Sequence, residues 1–260
     1  MSEVTIHPLA VVERGAELDT GVEIGPFAFI GARVRIGART RVGAHAVVTG
    51  NTSIGEDNQI FSFASVGHIP QDLKYRGEDS RLEIGHRNII REFATVHLGT
   101  AGGGMVTRIG DENLLMNYTH IAHDCRIGNR VIVANGVQLA GHVIVEDYAV
   151  LGALSGIHQF VRVGESAIVG AGSMVSQDVP PFCNATGNRA TLHGLNLVGL
   201  QRRGFSRELV QQLKRAYRIV FRSGLTVAEA AARVRAELPG IPEVERFVHF
   251  IEHSTRGVCR

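Results

Sequence analysis

Residues 109–145 read IGDENLLMNYTHIAHDCRIGNRVIVANGVQLAGHVIV, and every sixth position from the first is aliphatic: Ile109, Leu115, Ile121, Ile127, Val133, Leu139, Val145. An amphipathic helix repeats near 3.6 residues and a half-buried strand near 2. Period six describes a short strand, a corner, then another short strand, and three such sides close a coil of about 18 residues. The register continues through Leu151, Ile157, Val163, Val169 and Val175. Upstream it runs from Ile6 through Val12, Leu18, Ile24, Ile30, Ile36, Val42, Val48, Ile54 and Ile60 to Val66, and returns at Ile84, Ile90 and Val96. The following residue is often small (Gly110, Ala122, Gly128, Ala134, Ala140), which is expected to let the backbone turn. The pattern predicts a parallel β-helix whose coils hydrogen-bond about 4.8 Å apart.

Two segments break the register, 67–83 (GHIPQDLKYRGEDSRLE) and 98–108 (LGTAGGGMVTR). Excursions from a rigid scaffold are where function collects. From about Gly187 the pattern changes. Ser206 reads as the N-cap of a helix stopped by Gly224, Thr226 and Glu229 as a capping box, and Pro242 as the start of a last helix through Ser254. The expected division is a β-helix over 1–186 and a helical domain over 187–260.

A net charge of +2 gives no basis for bulk nucleic-acid binding. Cys125, Cys183 and Cys259 are odd in number and fit no metal motif, which points to free thiols in a reducing compartment. No apolar run is long enough to span a bilayer. The chain is therefore expected to be cytoplasmic, with no membrane insertion, no nucleic-acid partner, no metal and no cofactor.

A solenoid converts spacing into position. Counted from Ile109 modulo 18, His123, His142 and His158 fall at phases 14, 15 and 13. Val96 to Ile109 is 13 steps where 6 were due, and subtracting the excess puts His97 at phase 13, one coil earlier. Four imidazoles should thus form one row roughly 15 Å long, with His120 just before the same corner. Histidine serves as a general base near neutral pH or as a zinc ligand. In HIAHD, Asp124 could orient His123 as a base, and Gly141, before His142, could offer a backbone N–H to an oxyanion. A second constellation is cationic: Arg202-Arg203 leads into a helix carrying Arg207, Lys214, Arg215, Arg218 and Arg222, suited to phosphate or to an acidic protein.

At this point the chain resembles the acyl-carrier-protein-dependent UDP-N-acetylglucosamine acyltransferases that begin lipid A synthesis. The resemblance covers nearly the whole chain. It is carried by QDLKYRGE (71–78), HLGTAGGG (97–104), NLLMNYTHIAHDC (113–125), IGNRVIVANGVQLAGHV (127–143), IHQF (157–160), QDVPPF (177–182) and GLQRRGFSRE (199–208). It implies a left-handed coil and a homotrimer with the active site between subunits. It implies that His123 is the general base, that Asp124 supports it and that the Gly141 N–H holds the oxyanion. Asp72, Lys74, His97, His120, His142 and His158 would surround the glucosamine and its phosphate, and Gln159, Asn196, Arg202 and Arg203 would hold the UDP portion. The donor would be an acidic acyl carrier protein, suited to the basic helix.

Two positions are particular to this chain. Val198 stands where the family often has glutamate, which implies weaker uridine binding. Ala171 stands at the acyl-length position, where some members carry glycine, which implies a preference for somewhat shorter chains or a relaxed choice.

Other readings make different predictions. A γ-type zinc carbonic anhydrase would hold stoichiometric zinc, but it lacks the QDLKY loop and the arginine-bearing tail. A coenzyme-A-dependent acetyltransferase, or the later N-acyltransferase of the pathway, is another hexapeptide enzyme; the latter usually has an extra N-terminal domain, with no room before Ile6. A purely structural scaffold would leave the histidine row unexplained.

Overall fold

The computed structural model describes residues 3–260. Strands of mostly two residues stack into three parallel sheets, which among the described residues have eleven, nine and eight strands. We call them sheets one, two and three in the order the chain meets them. Their register is the repeat itself: Leu115 pairs with Val133, Ile121 with Leu139 and Ile127 with Val145. The aliphatic residues point inward, and Ile30, Leu115, Ile121, Leu139 and Leu151 are fully buried. A coil thus buries one large side chain per wall, and continuous stacking supplies the hydrophobic stabilisation that no coil has alone.

The small residue after each aliphatic one does a different job from the one expected. Turning falls two residues later, on left-handed residues such as Tyr118, Asp124, His142 and Phe160, with φ from 60° to 66°. The small residue permits close approach between coils. A Cβ on Gly110 would lie 2.6 Å from the Gly128 carbonyl oxygen of the next coil. Left-handed φ is costly for residues with a Cβ, and each corner is held by its neighbour, as where the His142 N–H donates to the His123 carbonyl at 3.0 Å.

Two ladders reinforce the corners. At the corner from sheet three to sheet one, Asn58 Oδ1 accepts from both nitrogens of Asn88, Asn88 Oδ1 from both of Asn113, and Asn113 Oδ1 from the Val131 N–H. Buried amides are thereby satisfied by one another. At the corner from sheet one to sheet two, Phe27, His45, Phe63, Phe93 and Tyr118 stack with centroids 4.8 to 5.2 Å apart.

The solenoid passes into the tail through a reversal. Cys183–Thr186 joins sheet one in parallel, and Thr191–Leu195 folds back antiparallel on it. Four helices follow: α1 (Leu197–Arg202), α2 (Arg207–Arg222), α3 (Val227–Glu237) and α4 (Pro242–Glu252). Ser206 caps α2, and the Thr226–Glu229 box opens α3. α4 stops at Glu252, two residues short of expectation, where His253 leaves helical geometry. α2 buries Leu213, Ala216, Tyr217 and Ile219 and leaves Arg207, Arg215, Arg218 and Arg222 exposed. No helix of the described residues is long and apolar enough to cross a membrane.

Candidate active site

His97, His123, His142 and His158 all lie at the corner between sheets two and three, on four successive coils. The winding therefore aligns them as the spacing predicted. The rings of His123 and His142 meet edge to face at 5.1 Å, those of His97 and His120 at 4.9 Å, and Phe160 stacks on His142 at 4.3 Å.

His123 Nδ1 lies 2.8 Å from Asp124 Oδ2. Asp124 is held as a carboxylate, which can only accept. Its side chain is fully buried, and burial favours the neutral acid, but hydrogen bonds from His123 and Thr100 outweigh this and keep its carboxyl below the ordinary range. The His123 proton therefore resides on Nδ1, leaving the Nε2 lone pair free to accept another. Directly beside that ring is Gly141. The residue is buried, and its N–H has no hydrogen-bond partner within the described chain. A Cβ there would lie 2.7 Å from His123 Nε2, so glycine is what leaves room for the imidazole.

Burial disfavours the protonated form of three of the neighbouring histidines. Burial, with His120 and other imidazoles nearby, pushes His97 down from 6.5 to about 4, and burial also lowers His120 and His142. His120 Nδ1 is 2.7 Å from the Thr95 hydroxyl, whereas the buried Nδ1 of His97 has no partner among the described residues. Cys125, next to the pair, is no rival nucleophile: burial pushes its thiol up to about 12, and its Sγ donates to the Ala140 carbonyl.

The neutral His97 makes the fold acid-sensitive. The unfolded side chain takes a proton near 6.5 and the folded one only near 4. Between those values the unfolded chain binds more protons, so stability is full above about 6.5 and falls as pH drops toward 4. At about 1.4 kcal/mol per pKa unit the full loss is roughly 3 kcal/mol, of which about 2 kcal/mol has accrued by pH 5. Urea unfolding at pH 7.5 and pH 5 should show a smaller decline in His97→Gln than in the parent. Equal declines would remove His97 as the cause.

Asp72, on the first excursion, is near enough for its charge to act on His142, while Lys74 on the same loop is exposed. His158 and Gln159 are exposed at the same corner. His120 and His158 open onto a groove of about 740 Å³ across sheet two, which also takes in Gln138, Met174, Arg189 and Arg256. A groove of about 690 Å³ on sheet three is lined by Glu83, Arg108 and Glu146 and holds no histidine.

Other expected residues stand elsewhere in this chain. Asn196 caps α1, accepting from the Gly199 N–H and donating to the Ser166 carbonyl. Arg203 pairs with Glu165 at 2.8 Å and stacks over Tyr148, while Arg202 is exposed at the end of α1. Glu165 and Ser166 form the corner between sheets three and one, so this group is one corner removed from the histidines. Ala171 lies exposed at the corner between sheets one and two, and Val198 is 60% exposed on α1. Sequence reading missed Thr100, Thr95 and Phe160. Phase counting could have found Phe160, one coil after His142, but Thr100 lies in the aperiodic excursion.

Six-residue repeats wound into a solenoid, with an imidazole–carboxylate pair beside a glycine whose backbone N–H has no partner among the described residues, define a hexapeptide-repeat transferase. Family models described as bacterial transferase hexapeptide and as the hexapeptide repeat of succinyl-transferase match residues 107–141 and 142–177, and one described as UDP N-acetylglucosamine O-acyltransferase, domain 2, matches 178–259. Among solved structures, the chain is 44% identical to LpxA from Acinetobacter baumannii, over 98% of this chain and 99% of that one, with a TM-score of 0.96. The chain belongs to the UDP-N-acetylglucosamine O-acyltransferase family and is an acyltransferase. It is also similar to the UDP-N-acetylglucosamine acyltransferases of Francisella novicida (42% identity, 98% and 94% covered, TM-score 0.94) and Arabidopsis (39% identity, 98% and 100% covered, TM-score 0.85). The fold is accordingly the left-handed parallel β-helix with a helical tail.

Family membership does not favour a zinc carbonic anhydrase. His123, Asp124 and His142 do bring ligand atoms within 4.8 Å of one another. However, Asp124 Oδ2 already accepts from the Thr100 hydroxyl at 2.6 Å and faces His123 Nδ1.

Proposed function

We propose that the chain moves a 3-hydroxyacyl group from the thioester of an acyl carrier protein to the 3-hydroxyl of UDP-N-acetylglucosamine, the first step of lipid A synthesis. The observation that carries this reading is the His123–Asp124 pair beside the free Gly141 N–H. His123 Nε2 takes the proton of the sugar 3-hydroxyl as its oxygen attacks the thioester carbon. The tetrahedral oxyanion is held by the Gly141 N–H. On collapse the C–S bond breaks and His123 returns the proton to the leaving thiolate. Asp124 stabilises the imidazolium between these steps.

His97, His120, His142, His158, Asp72 and Lys74 surround the sugar in this reading, and Gln159, Asn196, Arg202 and Arg203 hold the nucleotide. The separation of Asn196 and the arginines from the histidine row supports a homotrimer, in which one subunit's tail serves the next subunit's row. The exposed arginines of α2 suit an acidic carrier protein. The free thiols support a cytoplasmic setting.

Mass spectrometry of the product from UDP-N-acetylglucosamine and mixed 3-hydroxyacyl carrier proteins tests the reading. A single O-linked, alkali-labile acyl group is expected; no acylated sugar, or an alkali-stable amide, defeats it. Light scattering should give about three times the chain mass of 28.1 kDa. Val198 offers the nucleotide no hydrogen-bond acceptor, so Val198→Glu should lower KM for the nucleotide sugar several-fold, by about the worth of one hydrogen bond. An unchanged KM would separate Val198 from nucleotide binding.

A further inference from the structure

The excursion between His97 and Val106 is ordered around one residue. Thr100 is buried, and its carbonyl accepts from the Gly103 and Met105 N–H groups, which closes the loop on itself. Thr100 then points both of its donors at one target. Its N–H reaches Asp124 Oδ1 at 2.9 Å and its hydroxyl reaches Asp124 Oδ2 at 2.6 Å. The loop also seals the carboxylate, since a Cβ on Gly103 would come within 1.9 Å of Asp124 Cγ. Two of the three side-chain or backbone donors on this carboxylate thus come from a single residue 24 positions earlier, and the third is the base itself.

Such an arrangement does more than satisfy a buried charge. A carboxylate held only by the imidazole could rotate about its Cβ–Cγ bond, and the imidazole would follow it. Two fixed donors on different oxygens set the plane of the carboxylate. The hydroxyl also shares the charge of Oδ2, the oxygen that faces His123.

We infer that Thr100 is a positioning residue of the reaction: through Asp124 it keeps the His123 proton on Nδ1 and aims the Nε2 lone pair at the acceptor hydroxyl. The inference rests on the reading of His123 as the base.

Thr100→Val keeps the shape and the backbone N–H but removes the hydroxyl. Turnover should fall roughly ten- to a hundredfold, the range for losing a hydrogen bond to a charged group, with little change in KM for the nucleotide sugar. Without the hydroxyl, Oδ2 keeps more negative charge against the imidazole and favours its protonated form. The acid limb of the pH profile of kcat/KM should therefore move to higher pH. Thr100→Ser should restore both properties. In an Asp124→Asn background, Thr100→Val should cost little more, because its target is already altered.

An unchanged acid limb and kcat in Thr100→Val would overturn the role. So would an equal loss in the Asp124→Asn background, which would mean that Thr100 acts independently of Asp124. If the valine variant unfolds at the assay temperature, Thr100→Cys, which fills the loop but donates weakly, carries the same expectations. His123→Ala in the same assay separates the two claims. Full rate in that variant removes the base and everything built on it. A dead His123→Ala beside an unaltered Thr100→Val removes only the Thr100 role.

Discussion

His123→Ala should lose most turnover, on the order of 10²–10⁴-fold, the usual contribution of a positioned general acid–base. The sugar hydroxyl is a poor nucleophile until it gives up its proton, and among the groups gathered here His123 alone has its Nδ1 held by a carboxylate at hydrogen-bond distance, which leaves Nε2 as the nitrogen to accept a proton. None of His97, His120 and His142 is backed by a carboxylate at hydrogen-bond distance; His142 Nε2 is 3.9 Å from Asp124 Oδ2. The fold should hold. The His123 side chain is outside the apolar stack, and the bond that its carbonyl accepts from the His142 N–H does not depend on the ring. Initial rates alongside circular dichroism and thermal melting check this. A folded variant turning over at the parent rate would end the assignment of His123 as base.

The regular part of this molecule is legible because period fixes position. Leu115, Ile121 and Ile127 end two-residue strands on three different walls, as stepping by six requires. The same arithmetic put the histidines on one corner. It also applies to Asn58, Asn88 and Asn113: once both excursions are subtracted they share one phase, so their ladder was readable and went unread. Local chemistry was equally legible where it was local, as in the Thr226–Glu229 box.

What could not be read depends on contacts that the repeat does not encode. Thr100 sits in an excursion, where no phase is defined. Arg203 finds Glu165 38 residues away through the packing of the tail on the last coils. α1 is six residues long with a glycine inside it, too short to show a helical period. The antiparallel return at Thr191–Leu195 lies past Gly187, where the six-residue period has already lapsed, so spacing carries no direction for it. The role of the small residues was misread because a glycine required for close approach looks, in sequence, the same as one required for turning.

Gly141 is such a glycine, and Gly141→Ala should be nearly as damaging as loss of the base. The new methyl would lie 2.5 Å from His123 Cε1 and 2.7 Å from Nε2, closer than nonbonded atoms can approach. The neighbouring coil is fixed by its ladder, so the imidazole is the part free to move. Rotating it away breaks the 2.8 Å contact with Asp124 and swings Nε2 off the acceptor. The backbone N–H at residue 141 survives the substitution, but the methyl stands beside it where the oxyanion would develop. A misplacement of about 1 Å at the reacting atoms can cost of order 10²-fold, and here both the base and the oxyanion donor are affected. The expected result is a loss of about that size in kcat with an unchanged far-ultraviolet spectrum. Adding the same methyl where no base lies beside the corner, by Gly172→Ala on the last coils, would strain the backbone at φ 68° but meet no atom within 4 Å. That variant should lose stability without a comparable loss of rate per folded molecule. If Gly141→Ala proved as active as the parent, the imidazole would not be working in the position where the fold holds it, and the pairing of His123 with the Gly141 N–H could not be the catalytic arrangement.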